Sequence, residues 1–154
     1  MKDHKLNHIW IILLFLSFGT TSCSDNEEGV PDLPSMQEIE DAMVSGNWRI
    51  TKFIDSGNDE TNHFSGYDFV FNGNGELTSS NGTNTYEGSW SISDSNSSDD
   101  SPDDLDFNIL FNLNNDFEDL NDDWDILSVT ASKIELVDVS GGNGGTDFLT
   151  FEKN

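Results

Sequence analysis

The chain of 154 residues carries 30 acidic and six basic side chains, a formal charge of −24, and a surface that acidic repels nucleic acid and anionic headgroups. Aromatic residues make up 11% of it, which excludes the low-hydrophobicity composition of a disordered chain. One cysteine excludes an internal disulfide, so the single domain that this length suits must be held by burial and hydrogen bonding alone.

Lys2 and Lys5 precede an apolar run, Ile9 to Phe18, which is followed by Gly19-Thr20-Thr21-Ser22 and the sole cysteine, Cys23. A basic start, an apolar segment too short to span a bilayer well and a small-residue stretch make a secretory leader. Thr20-Thr21-Ser22-Cys23 resembles the processing site of bacterial lipoproteins, with Thr20 where an aliphatic residue is more usual. The resemblance implies cleavage after residue 22 and a diacylglyceryl, palmitate-type anchor on the Cys23 thiol; the competing reading is a secretory leader with an unrelated buried cysteine. Ser24-Asp25-Asn26-Glu27-Glu28 is similar to the surface-export signal of Bacteroidota-type lipoproteins, and reads equally well as a solvated linker. Residues 1–22 are thus expected to be the leader, 23–34 an acidic tether and 35–154 the folded domain, lipid-anchored to the outer membrane in the cell envelope. Without the leader, four basic residues face 29 acidic ones, a formal charge of −25.

Ser35-Met36-Gln37-Glu38 has the form of a capping box, and Ile39, Ala42 and Met43 share one face of a helix predicted over Met36 to Val44, ended by Ser45-Gly46. Eight strand patterns follow. They run Trp48–Asp55, Tyr67–Phe71, Glu76–Ser80, Thr83–Ser93, Leu105–Phe111, Trp124–Ala131, Lys133–Ser140 and Thr146–Lys153, separated by turn residues such as Asn72-Gly73-Asn74-Gly75 and Asn81-Gly82. The alternation breaks twice: Phe53 is out of phase with Trp48 and Ile50, and Leu127 and Val129 with Trp124 and Ile126, so that either bulges shift the register there or both faces are partly covered. Antiparallel strands with short connections predict an all-β, eight-stranded up-and-down barrel, with a two-sheet sandwich as the competing architecture.

Gly46-Asn47-Trp48 resembles the Gly-x-Trp that opens the first strand of lipocalins. Phe117-Glu118-Asp119-Leu120-Asn121-Asp122-Asp123-Trp124-Asp125-Ile126 and the closing Phe148-Leu149-Thr150-Phe151-Glu152-Lys153 are similar to small bacterial lipocalin-like lipoproteins, so the resemblance covers about residues 44–154. Thr146-Asp147-Phe148 echoes another lipocalin motif, but at the last strand, and no arginine follows it. The resemblance implies that Lys153 stacks on Trp48 in that arginine's stead; the competing reading is an exposed terminal lysine. The resemblance implies a lipocalin-like barrel that binds a small hydrophobic ligand at its mouth, lined by Tyr67, Phe69, Tyr86, Trp90, Phe107, Ile109 and Trp124. The same seven residues also read as a plain aromatic core, because eight strands enclose little more than their own side chains fill. An interior cavity would favour the ligand. A filled interior with aromatics exposed at one rim would favour a non-catalytic surface module that contacts a protein or glycan through acidic loops.

No catalytic residue is assigned. His63 is the only histidine after the leader, and neither a cysteine nucleophile nor a Gly-x-Ser-x-Gly elbow accompanies it, so the chain is not expected to be an enzyme or to need a cofactor. Asp94, Asp99, Asp100, Asp103 and Asp104 crowd one loop, and Asp116, Glu118, Asp119, Asp122, Asp123 and Asp125 another. Neither run has EF-hand spacing, and Gly141-Gly142-Asn143-Gly144-Gly145-Thr146-Asp147 is a single imperfect copy of a calcium repeat that works in tandem, so no metal site is assigned. The expected partners are the membrane, through the anchor, and a small hydrophobic ligand, with no nucleic acid and a monomeric state.

Overall fold

A computed structural model of the chain describes residues 34–94, 105–139 and 145–154. It opens with α1 (Met36–Val44), capped as its sequence predicts: the Glu38 amide donates to Ser35 Oγ, and the Ser35 amide donates to the Glu38 carboxylate at 2.9 Å. Ile39 and Met43 form its buried stripe.

Nine strands follow among the described residues: β1 (Asn47–Asp55), β2 (Asn58–Asp59), β3 (Asp68–Phe71), β4 (Glu76–Ser80), β5 (Thr85–Asp94), β6 (Leu105–Leu110), β7 (Asp122–Val129), β8 (Lys133–Val139) and β9 (Thr146–Lys153). β2 is a two-residue ribbon folded back on the end of β1. The other eight pair antiparallel in chain order, and β1 pairs with both β3 and β9, so the sheet closes into an eight-stranded barrel rather than splitting into a sandwich. Closure removes the sheet edges that an antiparallel array would otherwise expose.

Both breaks in alternation are register shifts. The β1–β9 pairing slips between Ile50 and Lys52, which returns Phe53 to the interior, and the β7–β8 pairing slips between Ile126 and Ser128, which leaves Leu127 exposed. Strand ends differ from the predicted ones where side chains take over backbone hydrogen bonds. β5 starts at Thr85 because the Asn81 side chain accepts from the amides of Thr83 and Asn84, at 3.0 and 2.8 Å. β6 stops at Leu110 because the Phe111 amide donates to Asn121 Oδ1 at 2.5 Å, while Asn121 Nδ2 donates back to the Phe111 carbonyl at 2.9 Å. Phe111 nevertheless reaches the interior across Gly88, where an added Cβ would come within 2.6 Å of the Leu110 carbonyl oxygen and 2.8 Å of the Phe111 ring. β7 begins two residues early, at Asp122, which pairs with Ile109 in the ladder.

The core is aromatic: Trp48, Trp124, Phe53, Phe64, Phe69, Phe71, Phe107, Phe111 and Phe151 are all nearly fully buried. The run 95–104 with most of the first acidic loop, residues 140–144, the leader and the tether up to residue 33 lie outside the described residues.

Candidate functional site

The two ends of the barrel are closed by different means. At the end where β1 starts, α1 lies against the opening and the Trp48 indole N–H donates to the Met43 carbonyl at 2.8 Å. The Lys153 ammonium sits 4.9 Å from the Trp48 ring centroid and donates to Ser45 Oγ at 2.7 Å. Two backbone bonds finish this end, from the Lys153 amide to Ser132 and from the Asn154 amide to Asn47.

At the other end two 3₁₀ turns, Thr61–Phe64 and Asp116–Leu120, each deliver a phenylalanine into the mouth. β1 and β3 pair only through Asn47–Val70 and Trp48–Phe69. Phe64, at the end of the first turn, is buried against Phe53 with ring centroids 5.4 Å apart. The second turn starts where Asn115 Oδ1 accepts from the Phe117 amide at 3.1 Å, and it ends where the Leu120 carbonyl accepts from the Trp124 indole at 3.1 Å. Phe117 stands at the centre. Its ring meets those of Phe64, Tyr67, Phe69, Tyr86 and Phe111 at 5.4, 5.1, 6.0, 4.7 and 5.1 Å. Centroid distances in this range suit edge-on and offset aromatic packing.

Of the seven residues predicted to line the mouth, Tyr67, Phe69 and Tyr86 come together here around Phe117. Trp90 and Phe107 stack on one another at 5.8 Å and both meet Phe71, with the Trp90 indole N–H donating to the Asn72 carbonyl. Ile109 and Trp124 fill the wall between β5 and β7, and Trp124 reaches Phe53 at 6.4 Å. Phe151 links the two groups through Phe69 and Phe71. The interior is therefore occupied by the chain's own rings. Phe64 and Phe117 were missed as lining because they lie on loops, where no alternation marks them; the one available signal was an apolar pair, Phe117 and Leu120, three residues apart in an acidic run.

Polar groups rim this cluster. Tyr67 and Tyr86, both half-buried, lie 6.0 Å apart, and the hydrogen bond from Tyr67 holds the Tyr86 phenol above its ordinary pKa, with Asn115 bonding to it from the other loop. His63 Nδ1 is 3.8 Å from Glu60 and 4.0 Å from Asp116, so it bridges the two turns. Desolvation, and after it the carboxylates of Asp55, Asp116 and Glu118, raises the pKa of Asp119. One interior polar atom stands out: Ser79 Oγ is fully buried and has no hydrogen-bond partner, the only such side-chain atom among the described residues.

An open groove of about 710 Å³ lies on the outer wall over Ser89, Ser91, Asn108, Leu110, Asp122 and Asp123. Asp122 is pushed up to about 6, first by desolvation and then by nearby carboxylates. Among the described residues no three acidic or histidine side chains converge as metal ligands, and no helix is long and apolar enough to cross a membrane.

No family model and no curated protein matches the sequence. Among solved structures, a DUF4847 family protein from Bacteroides vulgatus is similar, at 16% identity over 75% of this chain and 97% of that one, with a TM-score of 0.48.

Proposed function

We propose that the chain is a lipid-anchored protein of the cell envelope, held at the outer membrane through Cys23, whose lipocalin-like barrel binds a small, flat, apolar ligand at its loop end and catalyses no reaction. Phe117 carries this reading. Its ring occupies the middle of an aromatic mouth, yet a turn of five residues supplies it rather than a strand, so it can leave without unpairing the barrel ladder. A ligand ring that takes its place regains the same five ring contacts. Burying a side chain of this size contributes about 1.5–3 kcal/mol, which sets what the ligand must exceed.

Native mass spectrometry of the chain exposed to an envelope lipid extract tests the reading. An apolar adduct is expected on the wild type, several-fold more abundant on Phe117→Ala; no adduct on either protein contradicts it. The anchor is tested separately, since Cys23→Ala should move the protein from the membrane to the soluble fraction.

The filled interior favours a second reading, in which Tyr67 and Tyr86, half-buried at the rim, with Asp116 near Tyr86, form a contact surface for a protein or glycan. Absence of any adduct, together with loss of envelope binding in Tyr86→Ala, would select it.

A further inference from the structure

We propose that the loop-end site takes a ligand made of one aromatic ring and one hydrogen-bonding substituent, the ring replacing Phe117 and the substituent bonding to Ser79 Oγ. The proposal rests on the reading of the loop end as a ligand site and adds the class of molecule it selects. β4 turns Leu77 and Ser79 inward, and Ser79 is fully buried. Its cross-strand partners are Phe69 on β3 and Tyr86 on β5. Both of those rings touch Phe117, so the hydroxyl lies in the layer on which the Phe117 ring rests. A hydroxyl in a dry aromatic layer is unfavourable unless it is hydrogen-bonded, and this one bonds to nothing in the protein.

An alanine or valine would fill the position without that cost. A serine fits a site whose occupant brings the missing partner, because a site built to hydrogen-bond its ligand rejects the analogue that lacks the group. Phenol has this chemistry in its smallest form. Its ring matches the phenyl group of Phe117, and its hydroxyl can donate to or accept from Ser79 Oγ. Toluene has nearly the same shape and no such group.

The test is calorimetric titration of the full chain carrying Phe117→Ala with phenol and with toluene, repeated after adding Ser79→Ala. Both molecules should bind Phe117→Ala, and the wild type should bind each at least about tenfold more weakly, since Phe117 competes for the space. The phenol-to-toluene affinity ratio should fall about fivefold to tenfold with Ser79→Ala, the loss of one hydrogen bond. An unchanged ratio overturns the role of Ser79 and leaves the loop end as an apolar site. Binding of neither molecule overturns the site itself. If Phe117→Ala does not fold, Phe117→Leu, which vacates less volume, serves for the same titrations.

Discussion

The two ends of this barrel are sealed by groups of opposite character. At the α1 end the sealing side chains are tied at their polar tips: the Trp48 indole to a helix carbonyl, the Lys153 ammonium to Ser45 and to the Trp48 face. At the loop end the side chains of Phe64 and Phe117 make ring contacts alone, and the contact of His63 with Asp116 across the two turns stands at 4.0 Å with both partners well exposed. Hydrogen bonds with fixed partners define a single arrangement, whereas aromatic contacts are made equally well by any ring of the right size. The α1 end therefore reads as permanent closure and the loop end as an occupied site.

Substitutions at the two ends should separate these roles. The largest effect is expected from Trp48→Ala, which vacates a fully buried indole and strands the Met43 carbonyl; a loss of about 4 kcal/mol in urea denaturation is predicted, and a loss near 1 kcal/mol would mean that the α1 end is not pinned. Gly88→Ala comes next. Its Cβ would collide with the Leu110 carbonyl and the Phe111 ring, which costs about 1–3 kcal/mol and should shift the near-ultraviolet spectrum of the loop-end rings, because Phe111 supports Phe117.

At the foot of the same loop, Asp122 has a folded-state pKa raised to about 6 by desolvation. The folded chain thus binds this proton more tightly than the unfolded one, so its charge opposes folding at neutral pH and stability falls as pH rises from roughly 4 to 6. Asp122→Asn should stabilise the protein at pH 7 by at most about 1 kcal/mol after allowance for solvent screening, with no gain at pH 4; equal effects at both pH values would contradict the assignment. Smallest is Lys153→Met, which keeps the apolar stem but removes the cation over Trp48. A loss of about 0.5–1 kcal/mol is expected, measured by the same denaturation.

Much of the barrel was legible in the sequence because the strand signal is local. β4 and β9 have the predicted bounds, since inward and outward residues alternate cleanly along Glu76–Ser80 and turn residues flank Thr146–Lys153. The phase breaks at Phe53 and Leu127 were visible for the same reason, but the pattern alone left bulges and two partly covered faces both open until the ladder registers were known. The Lys153–Trp48 contact came only by way of the resemblance, with an exposed terminal lysine equally open, and the structure decides for the contact. Loop side chains were not legible: nothing local distinguishes Phe64 or Phe117 from an exposed aromatic, and their burial depends on two turns that converge only once the barrel closes. Asp122 was hidden likewise, because its acidic neighbours suggest a solvated loop while the β6–β7 register sets it opposite Ile109. The partnerless state of Ser79 is visible only in three dimensions.

The central claim is that the loop end opens independently of the barrel, and native-state hydrogen exchange of the full chain tests it most directly. The amides of Phe117, Glu118 and Asn121, bonded within their own loop, should exchange through an opening at least about 2 kcal/mol less costly than that of Lys153 and Trp90, whose amides bond to Ser132 and Gly75 at the opposite end. Equal protection at the two ends, with all five amides exchanging only through global unfolding, would show Phe117 to be ordinary core and would contradict the account.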